Sequence, residues 1–449
     1  MASSHLFSKT VSKLDKYALT WYLVLLGTIY IFIIWFPAHP ELTRRAYGIF
    51  FALLPLSLPV LIFLLWSYSW MCYVRLKKYA ATKYTVLEVR LPEEITQGIY
   101  SMELVLRALY QTGEVDTPIH THFKGQTRPW FSLELASHEG NVRFYIWTRT
   151  AYKDLVESQL YAHYPTVQVH EVQDYTLSIP FDLDKYDYWG VEQKLQKPDP
   201  YPITTYVEMG LDKPDLKDEF KNDPMNSIIE FFGSMKKGEH AWMQVIFRGH
   251  KGDGYDGWKA PRSKMYTGKN LTIDEWAKVE IDNIADKTKD ENGKINFMRL
   301  TKGEQADIAA IQEKLEKQDF DVCIRMSYIC EKNYCNNTRK AGFPSAMRSF
   351  EHGSEGRGLN GLAPMFIIGP FDYPWQDFRN IRRNILKERM YHDYVLRQSF
   401  FSPFRWHPYI VLNSEEVATI YHFPGRVSVT PTLERMLSKR ANAPSNLPT

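Results

Sequence analysis

Two long runs without Asp, Glu, Lys or Arg dominate the start of the hydropathy pattern: residues 18–36 (ALTWYLVLLGTIYIFIIWF) and 47–70 (YGIFFALLPLSLPVLIFLLWSYSW). At 1.5 Å per residue the first reaches about 28 Å, close to the ~30 Å of a bilayer core. Pro55 and Pro59 would kink the second, which membrane helices tolerate. Trp21, Tyr22, Trp35, Tyr47, Trp66, Tyr68 and Trp70 fall near the ends, where aromatic side chains favour the headgroup level. Lys9, Lys13 and Lys16 precede the first run, and Arg75, Lys77, Lys78 and Lys83 follow the second. The connector carries only Arg44 and Arg45. The excess of cations outside the connector predicts a two-pass hairpin over residues 1–78 in the cytoplasmic (inner) membrane, with both termini cytoplasmic and the lipid bilayer as its first partner.

Beyond residue 79 the period changes repeatedly. YTVLEVRLP (84–92) alternates as a strand does, and Ile95, Ile99, Met102, Leu106 and Leu109 then fall on one helical face. PWFSLELAS and NVRFYIWTR flank His138-Glu139-Gly140 as a hairpin, Leu155, Val156 and Leu160 mark a second helix, and TVQVHEV closes the set. The order is βαββαβ, which predicts a ferredoxin-like unit over 79–176 with one covered sheet face. Residues 177–201, rich in Asp, Tyr and Pro, read as a linker. A second α/β unit is expected over 202–424, beginning with a strand at 203–209. It carries a helix through Met225, Ile228, Ile229 and Phe232, a strand at 240–248, a hydrophilic insertion at 249–300 and a helix near 303–317. Its strand at 320–330 places Phe320, Val322, Ile324, Met326 and Tyr328 on one side. Residues 363–369 or 407–413 would complete the sheet. The expected fold class is α+β: a two-helix transmembrane hairpin followed by two ferredoxin-like cytoplasmic units. A polar, proline-spotted tail over 425–449 has the composition of an interdomain linker.

Composition narrows the chemistry. A net charge of +3 in 449 residues confines any nucleic-acid contact to local patches. Four cysteines without a CxxC pair predict free thiols in a reducing compartment. The phosphate-loop pattern G-x-x-x-x-G-K-[ST] has no match, GSEGRGLNG (353–361) lacking the lysine–hydroxyl pair, so ATP hydrolysis is not expected. No G-x-S-x-G or H-E-x-x-H motif occurs, and no catalytic residue, cofactor or metal site is assigned. His120 and His122 have a chelating spacing with His138 nearby, which leaves a membrane-bound metal-dependent hydrolase as the rival class. The strongest binding feature is a basic helix over 376–398. Arg379, Arg382, Arg383, Lys387 and Arg389 on it are candidate contacts for nucleic acid or a partner, the first three sharing one face.

Four stretches carry a resemblance: YTVLEVRLPEEITQGIYSMELVLRALYQ, PWFSLELASHEGNVRFYIWTRTAYKDLVESQLYAHYP, FDVCIRMSYIC and VLNSEEVATIYHFPG. Together they resemble the membrane-anchored N-terminal region of type IV secretion and conjugative-transfer ATPases of the HerA–FtsK type, in the versions found in candidate-phyla bacteria. In that family the YHFPG stretch and a proline-bearing linker lead into the motor domain, and here the chain stops at Thr449, where the motor would begin. The resemblance implies a non-catalytic component of a type IV secretion-like or conjugative DNA-transfer system. Such a component would anchor or complement a separate motor ATPase as a homo- or hetero-oligomer, with DNA among its contacts. A membrane scaffold unrelated to secretion is the remaining alternative.

Overall fold

The computed structural model describes residues 40–92, 97–113, 117–212, 223–251, 262–286, 300–351, 360–369, 377–401 and 407–425, with Ile95 and Ala260. The chain divides into a unit ending at Tyr73 and a body that begins at Val74. Helix α1 spans Pro40–Ala81 and contains Pro55 and Pro59. Its segment Phe51–Ala81 is long and apolar enough to cross a membrane. The other expected span, 18–36, lies outside the described residues. Residues 40–46, read as connector, are helical. Pro40 begins the helix, where its missing N–H costs nothing, and Glu41 lies in the first turn, where the helix dipole favours an acid.

In the body, β1 (Tyr84–Arg90), α2 (Ile99–Ala108), α3 (Pro118–His122), β2 (Phe131–His138), β3 (Asn141–Arg149), α4 (Lys153–His163) and β4 (Gln168–Val172) come first. Then follow β5 (Tyr186–Leu195), α5 (Pro224–Gly233), β6 (Glu239–Gly249), α6 (Ser263–Thr267), α7 (Ile273–Asp286), α8 (Lys302–Leu315), β7 (Asp319–Glu331), α9 (Asn337–Ala346) and β8 (Leu362–Ile367). The last elements are α10 (Ile381–Val395), β9 (Ile410–Asn413) and α11 (Ser414–Ile420). The strands make one nine-stranded antiparallel sheet in the order β4-β1-β3-β2-β6-β7-β5-β8, with β9 on β7.

This corrects the expected hairpin followed by two ferredoxin-like units: the described residues hold one long apolar helix and one continuous sheet. The joint is β2 against β6, in register from Phe131↔Phe247 to His138↔His240. Each strand would otherwise leave a bare edge of unpaired N–H and C=O groups, and the pairing removes both. The presumed linker 177–201 contains β5, a strand paired on both sides, whereas 203–209 holds turns and a single bridge from Ile203 to Asn360. Segments 363–369 and 407–413 both contribute, one as β8 at an edge and one as β9 beside the first residues of β7.

Both faces of the sheet are covered, not one. On the first, Leu133, Ile146, Val245 and Ile324 pack with Leu106 of α2, Leu160 of α4, Phe232 of α5, Phe343 of α9 and Val417 of α11. Phe320, Val322, Ile324, Met326 and Tyr328 share that face, as the alternation predicts. The second face is aromatic: Tyr145, Trp147, Tyr188 and Trp242 pack with Tyr175, Tyr394, Phe400 and Tyr409. Helix α10 lies on this side over β5, and Gly190 permits it, because a Cβ there would collide with Met390. Cys330 and Cys335 form a disulfide, correcting the expectation of four free thiols. The turn after β7 brings their Cα atoms to 5.2 Å, within the ordinary bridging range.

Candidate functional site

A row of polar side chains crosses the aromatic face. Register places Glu88 beside Tyr145, Tyr145 beside Glu134, Glu134 beside Gln244, Gln244 beside Arg325 and Arg325 beside Glu192. All six are buried. Buried polar groups must find partners, and two of these, Gln244 and Arg325, find the C-terminal end of α10. Gln244 donates to the Tyr394 carbonyl at 3.2 Å, and Arg325 donates to that of Asp393 at 2.9 Å. Trp130 Nε1 donates to the Arg397 carbonyl at 2.9 Å, and the Tyr79 hydroxyl donates to that of Leu396 at 2.8 Å. A helix leaves its last carbonyls without intrahelical donors. Here the backbone N–H groups of Arg397 and Gln398 supply some, and the sheet and the last turn of α1 add further donors.

Arg397 locks the arrangement. Its Nε and Nη2 reach the two Glu134 oxygens at 3.0 and 3.1 Å, and Nη2 also reaches Asp174 at 2.9 Å. Glu134 further accepts from Ser132 at 2.7 Å, Tyr175 at 2.8 Å and Gln244 at 2.9 Å. Burial pushes the Asp174 carboxyl up, but the Arg397 charge and hydrogen bonds from Arg397 and Thr176 hold it below its ordinary value. A second buried cluster stands at the start of β7. Asp321 takes Arg248 at 2.7 Å, Arg128 at 3.3 Å and His250 at 2.6 Å. Its burial is outweighed by those cations, and its carboxyl stays ionised well below the usual range.

The basic stretch is shorter than expected and does not present five cations together. Arg379 and Asn380 have φ of 55° and 59°, so the regular helix starts at Ile381 and Arg379 lies before it. The Asp377 carboxylate accepts the backbone N–H groups of Arg382 at 2.7 Å and Arg383 at 3.0 Å, which fixes that start. Arg379 and Arg382 are exposed, while Arg383, Lys387 and Arg389 are half-buried. Lys387 pairs with Asp187, which also takes Lys340 at 3.1 Å. The outward side of α10 carries Ile381, Arg382, Ile385 and Glu388.

The histidines are separated by the fold. His120 and His122 lie on the short helix α3, and His138 faces His240 across β2 and β6 with ring centroids 5.4 Å apart. Burial, then His240 and Arg143, lower the His138 pKa to about 4. Among the described residues, the side chains that converge as metal ligands do are Asp187, Cys330 and Cys335, and the two sulfurs are bonded to each other. The polar row and Arg397 were not singled out from sequence. The available signal is one polar or hydroxyl-bearing residue inside each of six consecutive sheet strands.

No curated protein matches the chain. A family model described as a domain of unknown function, DUF8128, matches residues 74–435, beginning where the body begins. The chain belongs to the DUF8128 family.

Proposed function

We propose that this protein is a non-catalytic, membrane-anchored adaptor of a type IV secretion-like or conjugative DNA-transfer apparatus, which couples a membrane helix to a docking surface for a separate motor ATPase. One observation carries the coupling: the last turn of α1 holds the end of α10 through Tyr79 and the Leu396 carbonyl. This bond lies within the body, at the end of the helix whose earlier turns carry the candidate span. The ionic clusters around Arg397 and Asp321 support a structural role, because their charges are spent on each other inside the body. Arg75, Lys77, Lys78 and Lys83 favour the cytoplasmic side for the body. The secretion assignment rests on the sequence resemblance.

The test is a tagged pull-down of the full chain from detergent-solubilised native membranes, read by mass spectrometry. Recovery of a phosphate-loop ATPase or other secretion components is expected. Recovery of the protein alone, or with unrelated membrane proteins, would leave a scaffold outside secretion. A contact with DNA predicts that Arg379→Glu with Arg382→Glu weakens binding and flattens its salt dependence, since these two are exposed while Arg383 and Arg389 of the same stretch are half-buried.

A further inference from the structure

We propose that a recess beside the last turns of α1 binds a phosphate group, either the headgroup phosphate of an acidic lipid or free inorganic phosphate. Its walls come from Arg75–Thr82, the start of β1, the end of β3, the 125–130 segment and the tail after α10. The recess opens to solvent on one side.

The chemistry is one-sided. Arg75, Lys78 and Arg149 line the recess together with the hydroxyls of Thr82, Tyr84 and Thr127, and no lining residue is acidic. Arg149 is held in a fixed posture. Its Nη2 donates to the Thr127 carbonyl and hydroxyl, both at 3.0 Å, and its guanidinium lies 4.9 Å from the Trp130 ring centre. Arg75 lies 5.4 Å from the Phe401 ring centre. Both guanidinium groups thus stand against aromatic walls of the recess, and planar guanidinium forks are the groups by which arginine recognises phosphate. Burial pushes the Tyr84 hydroxyl well above its ordinary pKa, so it stays a neutral donor. Lys78 is exposed at the rim, where it would meet an incoming anion first.

Chain position brings a lipid source within reach. Trp66 stacks on Trp70, and Trp70 contacts Tyr73, as residues of a headgroup-level belt would. Directly after them, Arg75, Lys77, Lys78 and Lys83 occur with no Asp or Glu from Val74 to Leu87. A juxtamembrane basic cluster draws acidic lipids, and the recess gives such a headgroup a defined seat.

The full chain in neutral detergent is titrated with dioctanoyl phosphatidylglycerol, dioctanoyl phosphatidylcholine or sodium phosphate at constant ionic strength, and the melting temperature is followed. Stabilisation by phosphatidylglycerol alone supports the site with a lipid source. Equal stabilisation by inorganic phosphate supports it with a free-anion source. Lys78→Glu should raise the concentration needed about fivefold or more, the effect of at least one surface cation. Lys332→Glu, outside the recess, should not change it. Arg149→Gln should abolish the response; because Arg149 also holds the 127–130 segment, the exposed Lys78 variant carries the decision if the Arg149 variant fails to fold. No response to any anion, a response equal to that with phosphatidylcholine, or a response unchanged in Lys78→Glu overturns the proposal.

Discussion

Arg397→Met tests whether the buried row holds α10 to the sheet. The substitution keeps an unbranched, apolar side chain of similar reach and removes the guanidinium. Two carboxylates lose their partner, but not equally. The Glu134 side chain is 0 % exposed and that of Asp174 is 22 % exposed, so water can compensate Asp174 and not Glu134. Stranding one buried partner of an ion pair costs roughly 3–5 kcal/mol, mostly as the penalty of the bare charge. At about 2 °C per kcal/mol for a body of this size, the melting temperature should fall by about 6–10 °C. Adding Glu134→Gln removes the stranded charge and should restore about half of the loss, a coupling that two independent sites would not show. The pH dependence has a definite sign. Asp174 is held below its ordinary pKa, so its stabilisation is present above about pH 4 and disappears as pH falls through the folded value. The gap between variant and native protein should therefore narrow in acid. The assay is thermal unfolding of the full chain in detergent, followed by tryptophan fluorescence at pH 7 and in a series that descends from about pH 4 to about pH 2.5. A shift under about 2 °C at pH 7, or a double variant no better than the single, would refute a closed, water-free clamp.

Three further outcomes follow from individual residues. Gly125 has φ of 61°, and a Cβ there would stand 2.5 Å from the Val74 carbonyl oxygen; Gly125→Ala should cost about 1–2 kcal/mol from the backbone alone and speed tryptic cleavage at Lys77, Lys78 and Lys83, and an unchanged digestion rate would count against the close packing. His138 is neutral in the fold with a pKa of about 4, so stability should decline as pH falls from about 6.5 towards 4, and His138→Phe should flatten that decline in a melting-temperature series. Maleimide labelling under native, non-reducing conditions should leave Cys323, which is buried, and the bonded Cys330 and Cys335 unmodified, with any label confined to Cys72; mass-spectrometric detection of label on Cys335 would show the bridge open.

What the sequence showed and hid follows from the range of the forces involved. The alternation in β1, β2, β3 and β7 and the helical periods of α2 and α5 are local, and they correctly placed those elements. The pairing of β2 with β6 is not local, and nothing in either strand distinguishes an edge from a joint. β5 was hidden for a related reason. YDYWGVEQKL is buried on both faces, one against aliphatic and one against aromatic neighbours, so it lacks the apolar–polar contrast that marks a half-exposed strand. The same double burial disguised the site. Glu88, Glu134, Gln244, Arg325 and Glu192 occupy positions that alternation assigns to solvent, and a polar residue there passes as an ordinary surface residue. Their meaning depends on Arg397, 263 residues from Glu134, and on the carbonyls at the end of α10. A row of polar side chains across a sheet becomes informative only when something buries it. Burial then requires each group to be satisfied, and that demand fixes where the covering helix must end. The seating of α10 is thus encoded jointly by the sheet row and by Arg397, and neither half of the code has a signature that a single segment displays.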